Sequence, residues 1–127
     1  MAAVEITSRA MASHVQLVIV DGPDSAAATA MQLLRSLEDR WSRFLPDSDI
    51  TRLNTNPGQA VTVDDTTVTL VQAMRDGWWF SDGRYNPCVL PALLRSGYSH
   101  SITDPTRSTR IHARATNRCL LYTSDAA

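Results

Sequence analysis

The apolar positions of the first 41 residues change from a strand pattern to a helical one. Residues 15–20 read V-Q-L-V-I-V and are followed by the turn sequence D-G-P, which predicts a β-strand. Residues 4–7 predict its hairpin partner. From Asp24 onward, apolar side chains recur at the spacing of an amphipathic helix that Asp24 or Ser25 can cap. Its inward stripe consists of Ala27, Ala30, Leu34, Leu37 and Trp41.

The same alternation continues in the second part of the chain. Pro46 ends the first helical pattern, and Ser48 can cap a short helix that runs to Leu53. Residues 61–63 predict a brief strand, and Asp64 or Asp65 can cap a second long helix. The buried stripe of this helix consists of Val68, Val71, Met74 and Trp78, and Asp82-Gly83 ends it. The mixture of strands and helices predicts the α+β class.

The ends of the sequence carry less pattern. Residues 103–118 hold four arginines and few apolar side chains, which favours a loop or a frameshifted stretch over a basic arm. Residues 119–127, C-L-L-Y-T-S-D-A-A, resemble a translated sequencing adapter, so we expect a non-native tail there and assign residues 1–118 to the natural domain. The alternative is a genuine strand at residues 120–122.

Composition narrows the class of protein. The 127 residues have the length of one ordinary domain, and the formal net charge of −1 argues against a nucleic-acid partner. The histidines and the two cysteines share no metal-ligand or C-x-x-C spacing, so no metal site is predicted in this chain. No apolar run is long enough to span a membrane, and no signal peptide is recognisable, which together predict either a cytoplasmic protein or one whose N-terminus is missing from this sequence.

Three short segments carry the candidate chemistry. Residues 11–14 read M-A-S-H and lead into the first predicted strand. Residues 41–54 read W-S-R-F-L-P-D-S-D-I-T-R-L-N, a polar loop held between two helical patterns. Residues 83–91 read G-R-Y-N-P-C-V-L-P and follow the second long helix. Loops of this kind, held between regular elements, commonly present groups to a ligand.

These segments resemble, in order, three motifs of the FAD:protein FMN transferases, the ApbE or thiamine-biosynthesis lipoprotein family. The motifs are M-G-[TS]-x, S-x-[YF]-x-x-x-S-x-[LI]-x-x-[LF]-N and G-x-[FL]-D-[PV]-T-V-x-P, and the resemblance covers residues 11–102. This chain has Ala12 in place of Gly, Asn86 in place of Asp and Cys88 in place of Thr. An amide in place of a carboxylate loses a charge but keeps a hydrogen-bond acceptor.

The resemblance implies a fold and a set of flavin-site residues. The fold would be the N-terminal portion of a T-fold-like antiparallel sheet with packed helices. Met11 and Phe44 would pack against the flavin, and Arg84, Tyr85 and Asn86 would line the nucleotide. Each has a plainer interpretation: Met11 and Phe44 as core side chains, and residues 84–86 as a helix-ending turn packed by Tyr85.

The resemblance also implies an activity. Family members use magnesium to transfer FMN from FAD to a threonine hydroxyl of a target flavoprotein, with release of AMP, and many are exported lipoproteins. They are more than twice as long as this chain, so we expect an N-terminal fragment that is inactive by itself. The catalytic residues and metal ligands would lie in the C-terminal half of the family fold. An FAD pyrophosphatase on the same scaffold and a non-catalytic flavin-binding relative are the alternatives.

Overall fold

The computed structural model describes residues 1–111, which form a β-hairpin followed by four helices. The strands are β1 (Ala3–Ala10) and β2 (Ser13–Val20). The helices are α1 (Ala26–Trp41), α2 (Asp49–Thr55), α3 (Asp65–Phe80) and α4 (Leu90–Arg95). This arrangement confirms the predicted α+β class. The expectations for residues 112–127 lie outside the described residues.

The hairpin pairs its strands antiparallel along their whole length. Ala3 lies opposite Val20 and Ala10 opposite Ser13, so the register leaves Met11 and Ala12 as a two-residue turn. Both turn residues have left-handed backbone angles, with φ of 51° and 60°. This is the geometry that tight hairpins require, because it matches the twist of the flanking strands. Both predicted strands are therefore confirmed and are longer than the sequence pattern indicated.

Helix α1 covers one face of the hairpin. Among the described residues the buried apolar side chains are Ala10, Ala27 and Met31, which lie at this hairpin–helix contact. The Met11 N–H donates to Glu38 Oε1 at 2.9 Å, which fixes the hairpin turn against the last turns of the helix. Met31 was not in the predicted stripe. Ser25 occupies the N-cap position as expected, but its side chain makes no capping bond.

Two of the predicted helix caps form as expected. Ser48 Oγ accepts the Thr51 N–H at 3.1 Å at the start of α2. Asp64 caps α3 by accepting the N–H and the hydroxyl of Thr66 at 2.9 Å and 2.6 Å. Since these bonds stabilise the carboxylate, they hold the pKa of Asp64 below its ordinary value, and nearby Arg40 acts in the same direction.

Two sequence-based expectations need correction. The strand predicted at residues 61–63 was wrong: the segment is irregular and pairs with no strand among residues 1–111, and Arg52 donates to its Thr62 carbonyl. A run of three residues is too short to form a ladder without a neighbouring strand. Helix α4 was not predicted, because its six residues give too short a periodic signal. The predicted stripe of α3 is half-buried except for Val68, which is 43% exposed.

Candidate functional site

A cavity of about 230 Å³ opens where the hairpin turn, the end of α1 and the segment around residues 98–107 meet. Met11 and Phe44, two of the predicted flavin-site residues, both line it. They are far apart in sequence, and the fold brings them together. Its other aromatic lining comes from Trp41 and Tyr98, and the cavity is therefore suited to a flat, apolar group.

Met11 reaches this cavity because of the hairpin turn. The left-handed backbone of Met11 and Ala12 reverses the chain within two residues, and the bond from the Met11 N–H to Glu38 sets the turn against α1. The Met11 side chain is 45% exposed, so it is not a core residue within the described part of the chain. The turn and the hydrogen bond from the Met11 N–H to Glu38 together place Met11 at the cavity wall.

Phe44 and Tyr98 form the aromatic wall of the cavity. Their ring centroids lie 5.9 Å apart with an interplanar angle of 60°, the edge-to-face arrangement that aromatic pairs prefer. The guanidinium carbon of Arg43 lies 4.2 Å from the Phe44 centroid and 4.4 Å from the Tyr98 centroid. The cation thus sits in the corner between the two rings, within cation–π distance of both.

Hydrogen bonds hold Arg43 in this corner. Its Nη2 donates to the Tyr98 carbonyl at 3.0 Å, and its Nη1 donates to the Thr109 hydroxyl. Partial burial lowers the pKa of the Arg43 guanidinium, and neighbouring Tyr98 offsets part of that change. Neither Arg43 nor Tyr98 was singled out from the sequence. Arg43 stands inside the S-R-F motif segment, whereas Tyr98 lies outside all three motifs and gave no signal.

Residues 84–86 lie apart from this cavity. The Asn86 Oδ1 accepts the Cys88 N–H at 2.8 Å, which makes a side-chain-closed turn. The Tyr85 ring lies against α3: a Cβ on Gly77 would be only 3.0 Å from Tyr85 Cδ1. Arg84 is exposed. None of the three lines the 230 Å³ cavity, so the structure divides the predicted flavin-site residues into two separate groups.

A second and larger cavity, of about 690 Å³, lies among α2, α3 and α4. Its lining is mostly aliphatic and includes Leu53, Val71, Met74 and Leu90, with few polar side chains. Small-molecule sites normally place several convergent polar groups in an apolar pocket. We therefore interpret the larger cavity as uncovered packing surface and the smaller one as the candidate site.

Comparison with known proteins identifies the family of this chain. The model of the ApbE family matches residues 11–120. The chain belongs to the ApbE family. The match begins at Met11, the first residue of the candidate site, and it contains both groups of predicted site residues. It confirms the family identified from the three motifs.

A solved structure supports the fold of this ApbE-family chain. The crystal structure of the ApbE protein from Thermotoga maritima is similar with a TM-score of 0.72 and 20% sequence identity. The similarity covers 89% of this chain and 36% of that one, so the chain spans about a third of the length of this relative. At this identity the likeness establishes the fold alone. No curated protein matches the chain significantly.

The first departure from the family motifs lies at a position with a left-handed backbone. The family has Gly where this chain has Ala12, and Ala12 has a φ of 60°. Glycine adopts such angles without steric cost, whereas a Cβ is disfavoured there. The turn therefore has the backbone angle that glycine favours, although the residue there is alanine.

Asn86 accepts a hydrogen bond from the Cys88 N–H, which agrees with the reasoning that an amide can replace the family carboxylate as an acceptor.

The family resemblance implies a bound magnesium ion. Within residues 1–111, no group of three or more His, Cys, Asp or Glu side chains could hold one. Over the same residues, no helix is long and apolar enough to cross a membrane.

Proposed function

We propose that this chain forms the flavin-binding part of an FAD:protein FMN transferase. The observation that carries the proposal is that Met11 and Phe44 line the same cavity, in a chain of the ApbE family. Membership of this family suggests a flavin-related transferase, and the cavity offers the apolar and aromatic contacts that an isoalloxazine ring requires. At about 230 Å³ the cavity would hold the ring and not the whole dinucleotide.

The proposed reaction exchanges the phosphoanhydride bond of FAD for a phosphate ester on threonine. The hydroxyl oxygen of an acceptor threonine forms a new bond to the phosphorus of the FMN half of FAD. The bond from that phosphorus to the bridging oxygen breaks, AMP leaves with the bridging oxygen, and the threonine hydroxyl loses its proton. The residues described here would bind and orient the flavin end, so that the pyrophosphate is held in line with the incoming oxygen.

Magnesium would neutralise charge on the pyrophosphate when bound. Residues 1–111 offer no cluster for it, so its ligands belong outside the described part of the protein in this proposal. The acceptor partner is a flavoprotein that carries an exposed threonine. The contribution of the present chain is limited to flavin recognition.

The test is FAD turnover by the full-length gene product that carries this sequence. The protein is incubated with FAD and magnesium, with and without a threonine-containing acceptor and with the matched acceptor in which valine replaces that threonine. We expect release of AMP together with a mass gain of one FMN group on the threonine acceptor and none on the valine acceptor.

The alternatives give different results in the same assay. Release of FMN and AMP without any acceptor would identify an FAD pyrophosphatase. Flavin binding without turnover in either assay would identify a non-catalytic flavin-binding relative. Failure to bind FAD, FMN or riboflavin at all would contradict the proposed function.

A further inference from the structure

Arg43 differs from the other half-buried arginines of the described residues in how its charge is balanced. Four arginines are half-buried within residues 1–111: Arg40, Arg43, Arg52 and Arg75. Three of these approach a carboxylate, with Arg40 3.5 Å from Asp64, Arg52 3.2 Å from Asp49 and Arg75 3.8 Å from Asp76. Arg43 has no carboxylate partner among residues 1–111. A partly buried cation is stabilised by an opposite charge, so an anion from outside this segment can serve as its counter-ion.

The position of Arg43 is also suited to a ligand. The side chain lines the 230 Å³ cavity, so it is within reach of a molecule bound in the candidate site. Its hydrogen bonds to the Tyr98 carbonyl and the Thr109 hydroxyl use one N–H on each terminal nitrogen. A guanidinium has five N–H donors, and the remaining ones can reach two oxygens of a phosphate at once. The rings of Phe44 and Tyr98 fix its plane.

We propose that Arg43 binds the phosphate of the flavin nucleotide whose ring occupies the cavity lined by Met11 and Phe44. The inference rests on the proposed function and extends it to the recognition of a flavin phosphate by a named side chain. Its charge, the lack of a carboxylate among the described residues and the adjoining aromatic wall all match a ligand that joins an aromatic ring to a phosphate. Partial burial, which lowers the pKa of Arg43, also strengthens its pairing with an anion.

Flavins with and without phosphate provide the test. The dissociation constants of FAD, FMN and riboflavin are measured for the full-length gene product and for its Arg43→Gln variant. Glutamine keeps hydrogen-bond donors but removes the charge. We expect the variant to bind FMN and FAD about tenfold more weakly, and riboflavin with unchanged affinity, because charge-assisted bonds to phosphate are lost and ring contacts are kept.

Two further variants serve as controls. Arg40 is also half-buried, but it pairs with Asp64 at 3.5 Å and lines neither cavity, so Arg40→Gln should change all three affinities by less than about twofold. Arg43→Lys keeps the charge and should retain part of the preference for FMN over riboflavin. The wild-type protein supplies a measurement that needs no variant: it should prefer FMN to riboflavin by about tenfold, and salt should reduce that preference.

A purely structural role for Arg43 gives another result. If Arg43→Gln weakens riboflavin and FMN equally, or if the wild-type protein binds both with equal affinity, the phosphate assignment is overturned. In that case Arg43 serves only to tie Tyr98 and Thr109 to the end of α1. If the wild-type protein binds no flavin at all, the proposed function itself is contradicted, and this outcome is distinct from the failure of the phosphate assignment.

Discussion

Thr67 donates a hydrogen bond of 2.6 Å from its Oγ1 to Oδ2 of Asp49, and this bond joins the start of α3 to the start of α2. Thr67 is 0% exposed and Asp49 is also buried. The same threonine oxygen accepts the Trp41 indole N–H at 3.2 Å, and Asp49 Oδ2 also accepts the Asp64 N–H at 3.1 Å. One polar cluster thus connects α1, α2 and α3 on both sides of the loop that carries Phe44.

We predict that Thr67→Val destabilises the full-length protein by about 1–3 kcal/mol. Valine has nearly the same shape, but it leaves the Asp49 carboxylate without one donor and the Trp41 N–H without its acceptor. Chemical denaturation measures the change in the free energy of unfolding. The control is Thr69→Val on the same helix, where the exposed hydroxyl bonds only to the Asp65 carbonyl, and a change within about 0.5 kcal/mol is expected. Equal effects of the two substitutions would contradict the role assigned to the cluster.

A second prediction concerns the hairpin turn. Ala12→Gly should stabilise the protein by on the order of 1 kcal/mol, because glycine removes the cost of a left-handed alanine at φ 60°. Thermal or chemical unfolding measures it. The matched control is Ala73→Gly in α3, the same change at an exposed position in a helix interior, which should destabilise by about 1 kcal/mol. A loss of stability in the Ala12 variant would show that the turn prefers the alanine for another reason.

Phe44→Ala should weaken FAD binding by on the order of 1 kcal/mol, the worth of one aromatic contact. The prediction follows from the place of Phe44 on the cavity wall beside Tyr98. Fluorescence titration of FAD provides the measurement. Phe80→Ala is the control, since Phe80 is 96% exposed at the end of α3 and lines neither cavity. Unchanged FAD affinity together with a lowered melting temperature would make Phe44 a packing residue only.

We expect Asn86→Asp, which restores the family residue, to keep or improve the affinity for FAD. Aspartate retains the acceptor that Asn86 Oδ1 offers to the Cys88 N–H, so the turn should survive. Asn86→Ala removes that acceptor and serves as the comparison, with reduced stability of the turn. A loss of FAD affinity above about tenfold in the aspartate variant, roughly 1.4 kcal/mol, would mean that the site has adapted to the neutral amide.

The 127-residue chain by itself should give associated or molten material that releases no AMP from FAD. Its described residues bury few apolar side chains, namely Ala10, Ala27 and Met31, and leave Trp79 57% exposed. A two-stranded sheet is marginal alone, and both of its outer edges can pair with other chains. Calorimetry and light scattering provide the measurement. A monomeric chain that melts cooperatively and turns FAD over in the presence of magnesium would be the opposite outcome.

Local features of this protein could be derived from its residues alone. The hairpin, the long helices and the caps Ser48 and Asp64 depend on turn chemistry, side-chain periodicity and bonds within a few residues, all of which are present in the sequence. The three motifs identified the ApbE family, which the match over residues 11–120 confirmed. The segment at residues 61–63 was misread because its apolar run lacked the neighbouring strand that a ladder requires.

Only the tertiary structure decided which of these elements meet. It brought Met11 and Phe44 to one cavity, placed Arg43 over the Tyr98 ring, and left residues 84–86 outside that cavity. It also buried Thr67 on Asp49, although both look like ordinary polar residues in the sequence. The physical reason is that such contacts depend on how helices and hairpin pack across large sequence separations. Periodicity along the chain carries no information about those distances.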